Sequence, residues 1–100
     1  MKMVAYIAGS ITNNNKYLYD FADAEMVFSE KGYIVLSPTH TPDGLKWEDY
    51  MRIDEVLLDL ADTVVFLDGW KRSKGAKIEH EWATEKHKNI IYYKRRELIL

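Results

Sequence analysis

Apolar residues in this chain fall into four short continuous runs, separated by stretches in which they recur at helical spacing. Residues 3–8, 33–36, 63–67 and 89–93 are the continuous runs. A short apolar run closed by turn residues is the pattern of a strand buried on both faces, as in a parallel sheet. The first run stops at Gly9-Ser10, and the third opens into a loop that contains Gly69 and Gly75. Between the runs, residues 17–31 carry Leu18, Phe21, Ala22, Ala24, Met26 and Phe28 at roughly helical intervals, with Gly32 as the stop. Asn13, Asn14 and Asn15 supply turn and N-cap chemistry ahead of that helix. Residues 37–44 hold two prolines and a glycine and read as a loop.

A second helix is expected to begin near Lys46 or Trp47 and to end at Asp62, with Met51, Val56, Leu57 and Leu60 supplying most of its apolar face. A third runs from about Gly75 to His87. Strands alternating with helices predict an α/β fold with a small parallel sheet and right-handed crossovers. The natural result is a three-layer sandwich, flavodoxin-like or Rossmann-like. The loops that follow the strands then gather at one sheet edge, where ligands bind in such folds. That convergence brings together Gly9-Ser10, Ser37 to His40 and Asp68 to Gly75, which lie far apart in sequence.

Composition narrows the reading. One hundred residues without a repeat predict a single domain over 1–100, and a domain this small gains from pairing with a second copy. A net charge of −2 gives no reason to expect a nucleic-acid polymer as partner. The chain has no Cys, hence no disulfide, thiolate metal site or thiol nucleophile. Residues 1–8 are too short for a secretory h-region and no run approaches membrane-spanning length, so a cytoplasmic protein without membrane contact is expected. The tail 94–100 is charged and then apolar, suited to covering a sheet edge or a partner subunit.

The segment after the third strand holds the candidate chemistry. Glu79 sits about one turn into the third helix, close behind Gly75-Ala76. Glu is common on solvated helix faces, but small residues at Gly75, Ala76 and Ala83 leave room around this one. A helix start favours a carboxylate and so predicts an ionised, nucleophilic Glu79. Asp54 in the second helix is a candidate second carboxyl, although Glu55 and Asp59 compete with it and acids there usually face water. Two carboxyls suit glycosyl transfer, which uses a nucleophile and a proton donor to the leaving group. Ser10 and Ser73 follow strands and can hold phosphate oxygens, but turn roles are commoner for both. Trp47 and Trp70 lie in or beside loops at the same edge, suited to stacking on a planar base or to a dimer contact. Neither a GxGxxG fingerprint nor a Walker motif is present, and His40, His80 and His87 lack metal-ligand spacing.

Taken together, Tyr6-x-x-Gly9-Ser10, Trp47, Tyr50 through Asp54, Ala61-Asp62, and Gly69-Trp70-x-x-Ser73-x-Gly75-Ala76-x-x-Glu79-x-x-x-Ala83 resemble the nucleoside 2-deoxyribosyltransferase superfamily. The likeness is strongest to its short bacterial and phage members and runs from Tyr6 to about Tyr93. It implies a retaining mechanism at an N-glycosidic bond. Glu79 then matches the nucleophile, Asp54 the acid that protonates the departing base, and Tyr6 the tyrosine that orients the nucleophile. The transferases carry Asp six positions before the nucleophile, where this chain has Ser73. The related nucleoside 5′-monophosphate N-glycosidases carry Ser there and use it, with a Ser like Ser10, to bind phosphate. The resemblance thus implies a nucleotide hydrolase without metal or organic cofactor, with Gly9, Gly75, Asp68, Trp47, Trp70 and His40 around the substrate. It also implies a homodimer or larger assembly. A 2-deoxyribosyltransferase and a non-catalytic nucleotide-binding protein stand as the alternatives.

Overall fold

The computed structural model describes residues 2–95. Its element order is β1 (Val4–Ala8), α1 (Tyr17–Glu30), β2 (Ile34–Leu36), a 3-10 turn (Pro38–His40), α2 (Trp47–Leu60), β3 (Thr63–Leu67), a second 3-10 turn (Trp70–Arg72), α3 (Lys74–Glu85) and β4 (Asn89–Tyr93). All four strands pair in parallel in the order β2-β1-β3-β4. The expected α/β fold with a small parallel sheet is what forms, in the strand order of flavodoxin-like folds. The reversal of strand order falls between β1 and β3, which opens a crevice beyond their carboxyl ends. Among the described residues no helix is long and apolar enough to cross a membrane. The last part of the tail, 96–100, lies outside the described residues, and with it the expected cover for a sheet edge or partner.

Strand parity sorts the core into two layers. Ala5 and Ile7 of β1 and Val65 and Leu67 of β3 face α1, where Phe21, Ala24 and Phe28 are buried against them. Tyr6 and Ala8, with Val64 and Phe66, face the other way, towards Leu58 of α2 and Ala83 of α3. Alternation therefore sends Tyr6 to the α2/α3 face. Each fully buried Phe, Ile or Leu in these layers contributes about 1.5–3 kcal/mol.

Two expected helix faces are corrected. On α1, Leu18 and Met26 are exposed and Ala22 faces water with them; Phe21, Ala24 and Phe28 form the buried stripe, with Tyr17 and Val27 partly buried beside it. On α2, Val56 and Leu60 are 59% and 64% exposed, and the buried positions are Leu58 and Asp54. The helix turns a polar residue inward because Asp54 and Leu58 are one turn apart and share the sheet-facing side. The Asn residues also act one step earlier than an N-cap. The cap position of α1 is Lys16, whose N–H donates to Asn14 Oδ1 at 3.0 Å, and Asn13 takes a left-handed φ of 62° in the turn before it.

Gly9 closes β1 against β3. A Cβ on Gly9 would stand 3.0 Å from Leu67 Cβ, tighter than most real Cβ contacts, so an added methyl must push the strand ends apart by a few tenths of an ångström. Gly9→Ala is expected to lower stability by about 1–3 kcal/mol through overpacking, measured by urea unfolding. An unchanged midpoint would show that the strand ends can part freely.

Candidate active site

The crevice holds a cleft of about 250 Å³ whose wall includes Gly9, Trp47, Tyr50, Met51, Asp54, Ser73, Ala76 and Glu79. Each position follows from local structure. Trp47, Tyr50, Met51 and Asp54 lie at i, i+3, i+4 and i+7 along α2 and share one helical face. Ser73 caps α3, its Oγ accepting from the Ala76 N–H at 3.1 Å, an interaction worth about 1 kcal/mol. Gly75 leaves space for α2: a Cβ there would lie 3.2 Å from Met51 Sδ. The small residue thus admits a neighbouring side chain, and Met51 in turn lines the cleft. Ala76 reaches the cleft, whereas Ala83 packs against the sheet.

At the floor, the fully buried Tyr6 hydroxyl donates to Glu79 Oε2. Glu79 is 4% exposed and Asp54 8%. Asp54 Oδ1 is buried and has no hydrogen-bond partner among the described residues. Burial pushes Glu79 up to about 8, outweighing the Tyr6 hydrogen bond that pulls it down, while the charge of Asp54 adds to the rise. Burial likewise lifts Asp54 to about 6, against a smaller lowering by the Tyr6 hydroxyl. The phenol itself is raised well above its usual value, first by burial and then by the charges of Glu79 and Asp54.

The expectation that the helix start keeps Glu79 ionised is therefore corrected. Counting from the Ser73 cap, Glu79 is the sixth residue of α3, beyond the first turn in which the helix dipole acts. Desolvation dominates there. Near pH 7 the two carboxyls hold about one proton between them. The higher value belongs to Glu79, so that proton rests on Glu79 and the charge on Asp54, and the Tyr6 hydrogen bond to Glu79 eases the reverse arrangement.

The other candidate residues divide. Ser10 and Asp68 line a second, wider cleft on the α1 side of the crevice, with Thr12 common to both. His40 is exposed and its Nε2 meets Glu25 Oε1 at 2.6 Å, tying the 3-10 turn to α1. Trp70 stacks on His80 at 4.3 Å between centroids and 16° between planes, and His80 Nε2 lies 2.8 Å from the Tyr92 hydroxyl. That stack joins α3 to the edge strand β4 beside Phe66 and steadies the helix that carries Glu79. Trp47 stays at the cleft with Lys74 Nζ 4.7 Å over its ring.

Tyr50, Thr41 and Pro42 had no assigned site role from sequence, whereas Pro38 and Thr39 belong to the Ser37 to His40 loop expected at this edge. The Tyr50 hydroxyl donates to the Pro42 carbonyl at 2.7 Å and accepts from the Leu45 N–H at 3.1 Å, which clamps this loop over the cleft. The helical spacing of Tyr50 with Trp47 and Asp54 was the available signal. Among the described residues no cluster of three His, Asp or Glu side chains is spaced to hold a metal ion.

The fold and site thus define a small parallel α/β domain with two buried carboxyls at its switch-point crevice. The family described as Domain of unknown function (DUF4406) matches residues 3–92, and the chain belongs to that family. No curated protein matches the chain.

Because Glu79 is raised from 4.5 in its ordinary state to about 8 when folded, the folded state holds its proton longer than the unfolded chain does. Its stability contribution is full below about 4.5 and is lost as pH rises through about 8. Glu79→Gln removes this loss while leaving an acceptor for Tyr6. Thermal unfolding is expected to show Glu79→Gln gaining on wild type by at least about 5 °C between pH 4.5 and pH 8.5. Parallel pH profiles for the two proteins would refute a buried, raised Glu79.

Proposed function

We propose that this chain cleaves the N-glycosidic bond of a nucleoside 5′-monophosphate, through a covalent sugar ester on Glu79. The observation that carries the reading is the meeting of Glu79 and Asp54 at one cleft, with Tyr6 hydrogen-bonded to Glu79 and an oxygen of Asp54 left without a partner. The resemblance to nucleoside 2-deoxyribosyltransferases supports the same roles for these three residues.

In this reading the proton of the pair first passes from Glu79 to Asp54, and the ionised Glu79 then attacks the anomeric carbon as the bond to the base breaks. The bonding pair leaves with the base, which takes the proton of Asp54. Burial holds Asp54 near 6, well above an ordinary Asp, so it can carry that proton in the reactive arrangement. Tyr6 fixes the carboxylate of Glu79 and spreads its charge. Water then attacks the same carbon and gives its proton to Asp54, releasing Glu79 and a sugar 5-phosphate. Two carboxyls used in this order retain the configuration at the anomeric carbon. Trp47, with its ring on the cleft wall, offers a face on which a planar base can stack. Ser73 in place of the transferases' Asp favours water over a second base as acceptor.

Incubation with a panel of nucleoside monophosphates and nucleosides is expected to release free base, detected by chromatography. Glu79→Ala should abolish release while remaining folded; release at the wild-type rate by this variant would exclude Glu79 as nucleophile. Absence of release from every compound would exclude the glycosidase reading and leave a binding role for the cleft.

The pH profile of kcat/KM is expected to be bell-shaped, with limbs near 6 and 8, since activity needs one proton on the carboxyl pair. Below the lower limb both carboxyls are protonated and no nucleophile remains; above the upper limb no acid remains. A rate that stays flat from pH 5 to pH 9 would count against the pair.

A further inference from the structure

The two clefts of the crevice are sharply divided in charge. The carboxyl cleft is lined by Asp43, Asp54 and Glu79 and by no Lys or Arg. The second cleft, of about 990 Å³, is lined by Lys16, Arg72, Lys94 and Arg95, with Asp20 and Asp68 as its acids. This excess of cations stands out on a chain of net charge −2. None of the four is in an ion pair with another described residue, whereas Lys86 and Arg52 are. They come from four places: the start of α1, the turn before α3, and two positions after β4. The topology has brought them to one edge of the sheet.

We propose that this second cleft is a binding site for a phosphate chain, a di- or triphosphate rather than a single phosphate. Three observations carry it. Four cations against two acids leave two net positive charges at one opening, spread over separate elements, so a linear phosphate chain reaches more of the cations than a single phosphate group does. Arg guanidinium groups from separate elements present forked donors suited to phosphate oxygens. The volume is several times that of the neighbouring carboxyl cleft, so an extended anion fits where a compact one would leave cations unmet. An anion placed in the carboxyl cleft instead would face Asp54 and Glu79, and like charges at close range repel.

Thr12 forms part of both walls, so the clefts adjoin. A nucleoside with its sugar at Glu79 can therefore extend a phosphate chain over Thr12 into the cationic cleft. That continuation rests on the glycosidase reading above; the phosphate-chain site does not. It would widen the substrate class from nucleoside monophosphates to nucleoside di- and triphosphates.

Titration calorimetry of the full chain with inorganic orthophosphate, pyrophosphate and tripolyphosphate at low salt tests the site without any need for turnover. Tripolyphosphate is expected to bind at least about tenfold more tightly than orthophosphate, and Arg72→Ala and Arg95→Ala each to weaken it by about tenfold. Circular dichroism checks that both variants are folded, and Lys94→Ala gives a third, milder substitution at the same opening. Equal affinity for orthophosphate and tripolyphosphate would overturn the proposal. So would tripolyphosphate binding that survives all three substitutions, or no binding at millimolar concentration. Base release and tripolyphosphate binding fail separately: binding without release refutes the glycosidase alone, and release without binding refutes the second site alone.

Discussion

The hydrogen bond from Tyr6 to Glu79 is the contact on which the site depends. It joins residues 73 positions apart and is buried where β1 meets α3. Its formation requires the β1 pleat to turn Tyr6 towards the α2/α3 layer. It also requires α3 to start at the Ser73 cap, so that Glu79 falls on the inward face. Gly75 lets Met51 of α2 come close, and the Trp70–His80–Tyr92 stack ties α3 to β4. Most of what surrounds the carboxyls is thus packing that sets one distance.

Burial then decides the electrostatics. A helix dipole contributes about 0.3–1 kcal/mol to a charge in its first turn. Glu79 lies beyond that turn, and removing it from water raises its affinity for a proton by several pH units. Asp54, beside the same phenol, is raised less because it is less enclosed; the Tyr6 hydroxyl opposes the rise in both carboxyls. Two chemically similar groups thereby acquire different proton affinities. The separation keeps one proton on the pair near neutral pH, resting on Glu79, and the proposed chemistry runs through the arrangement with that proton on Asp54.

Much of this was legible in the sequence. The four apolar runs read directly as strands because a parallel sheet buries both faces, so no alternation was needed to recognise them. Helix ends were nearly as clear, with Gly32 stopping α1 at a φ of 97°. The helix faces were harder. Val56 and Leu60 are apolar and look like core, while Asp54 is charged and looks like surface; the structure exchanges their places. Hydrophobicity alone misleads where a polar residue is turned inward to line a cleft. The 47, 50, 51, 54 spacing carried the right answer, because it groups residues by face instead of by polarity. Loop convergence was correct at the level of the sheet edge but too coarse within it. Ser10 and Ser73 follow neighbouring strands, yet they line different clefts, and Trp70 turns to the far side of α3. Sequence order cannot resolve which side of an edge a loop residue takes.

The central claim is that Glu79 and Asp54 are buried together and differ in proton affinity. Carbon-13 NMR of labelled Asp and Glu carboxyls, followed from pH 3 to pH 10, reads this directly. The account predicts a Glu79 resonance that titrates near 8 and an Asp54 resonance that titrates near 6, each assigned by its Gln or Asn variant. Two resonances titrating at about 4, the ordinary carboxyl range, would contradict it.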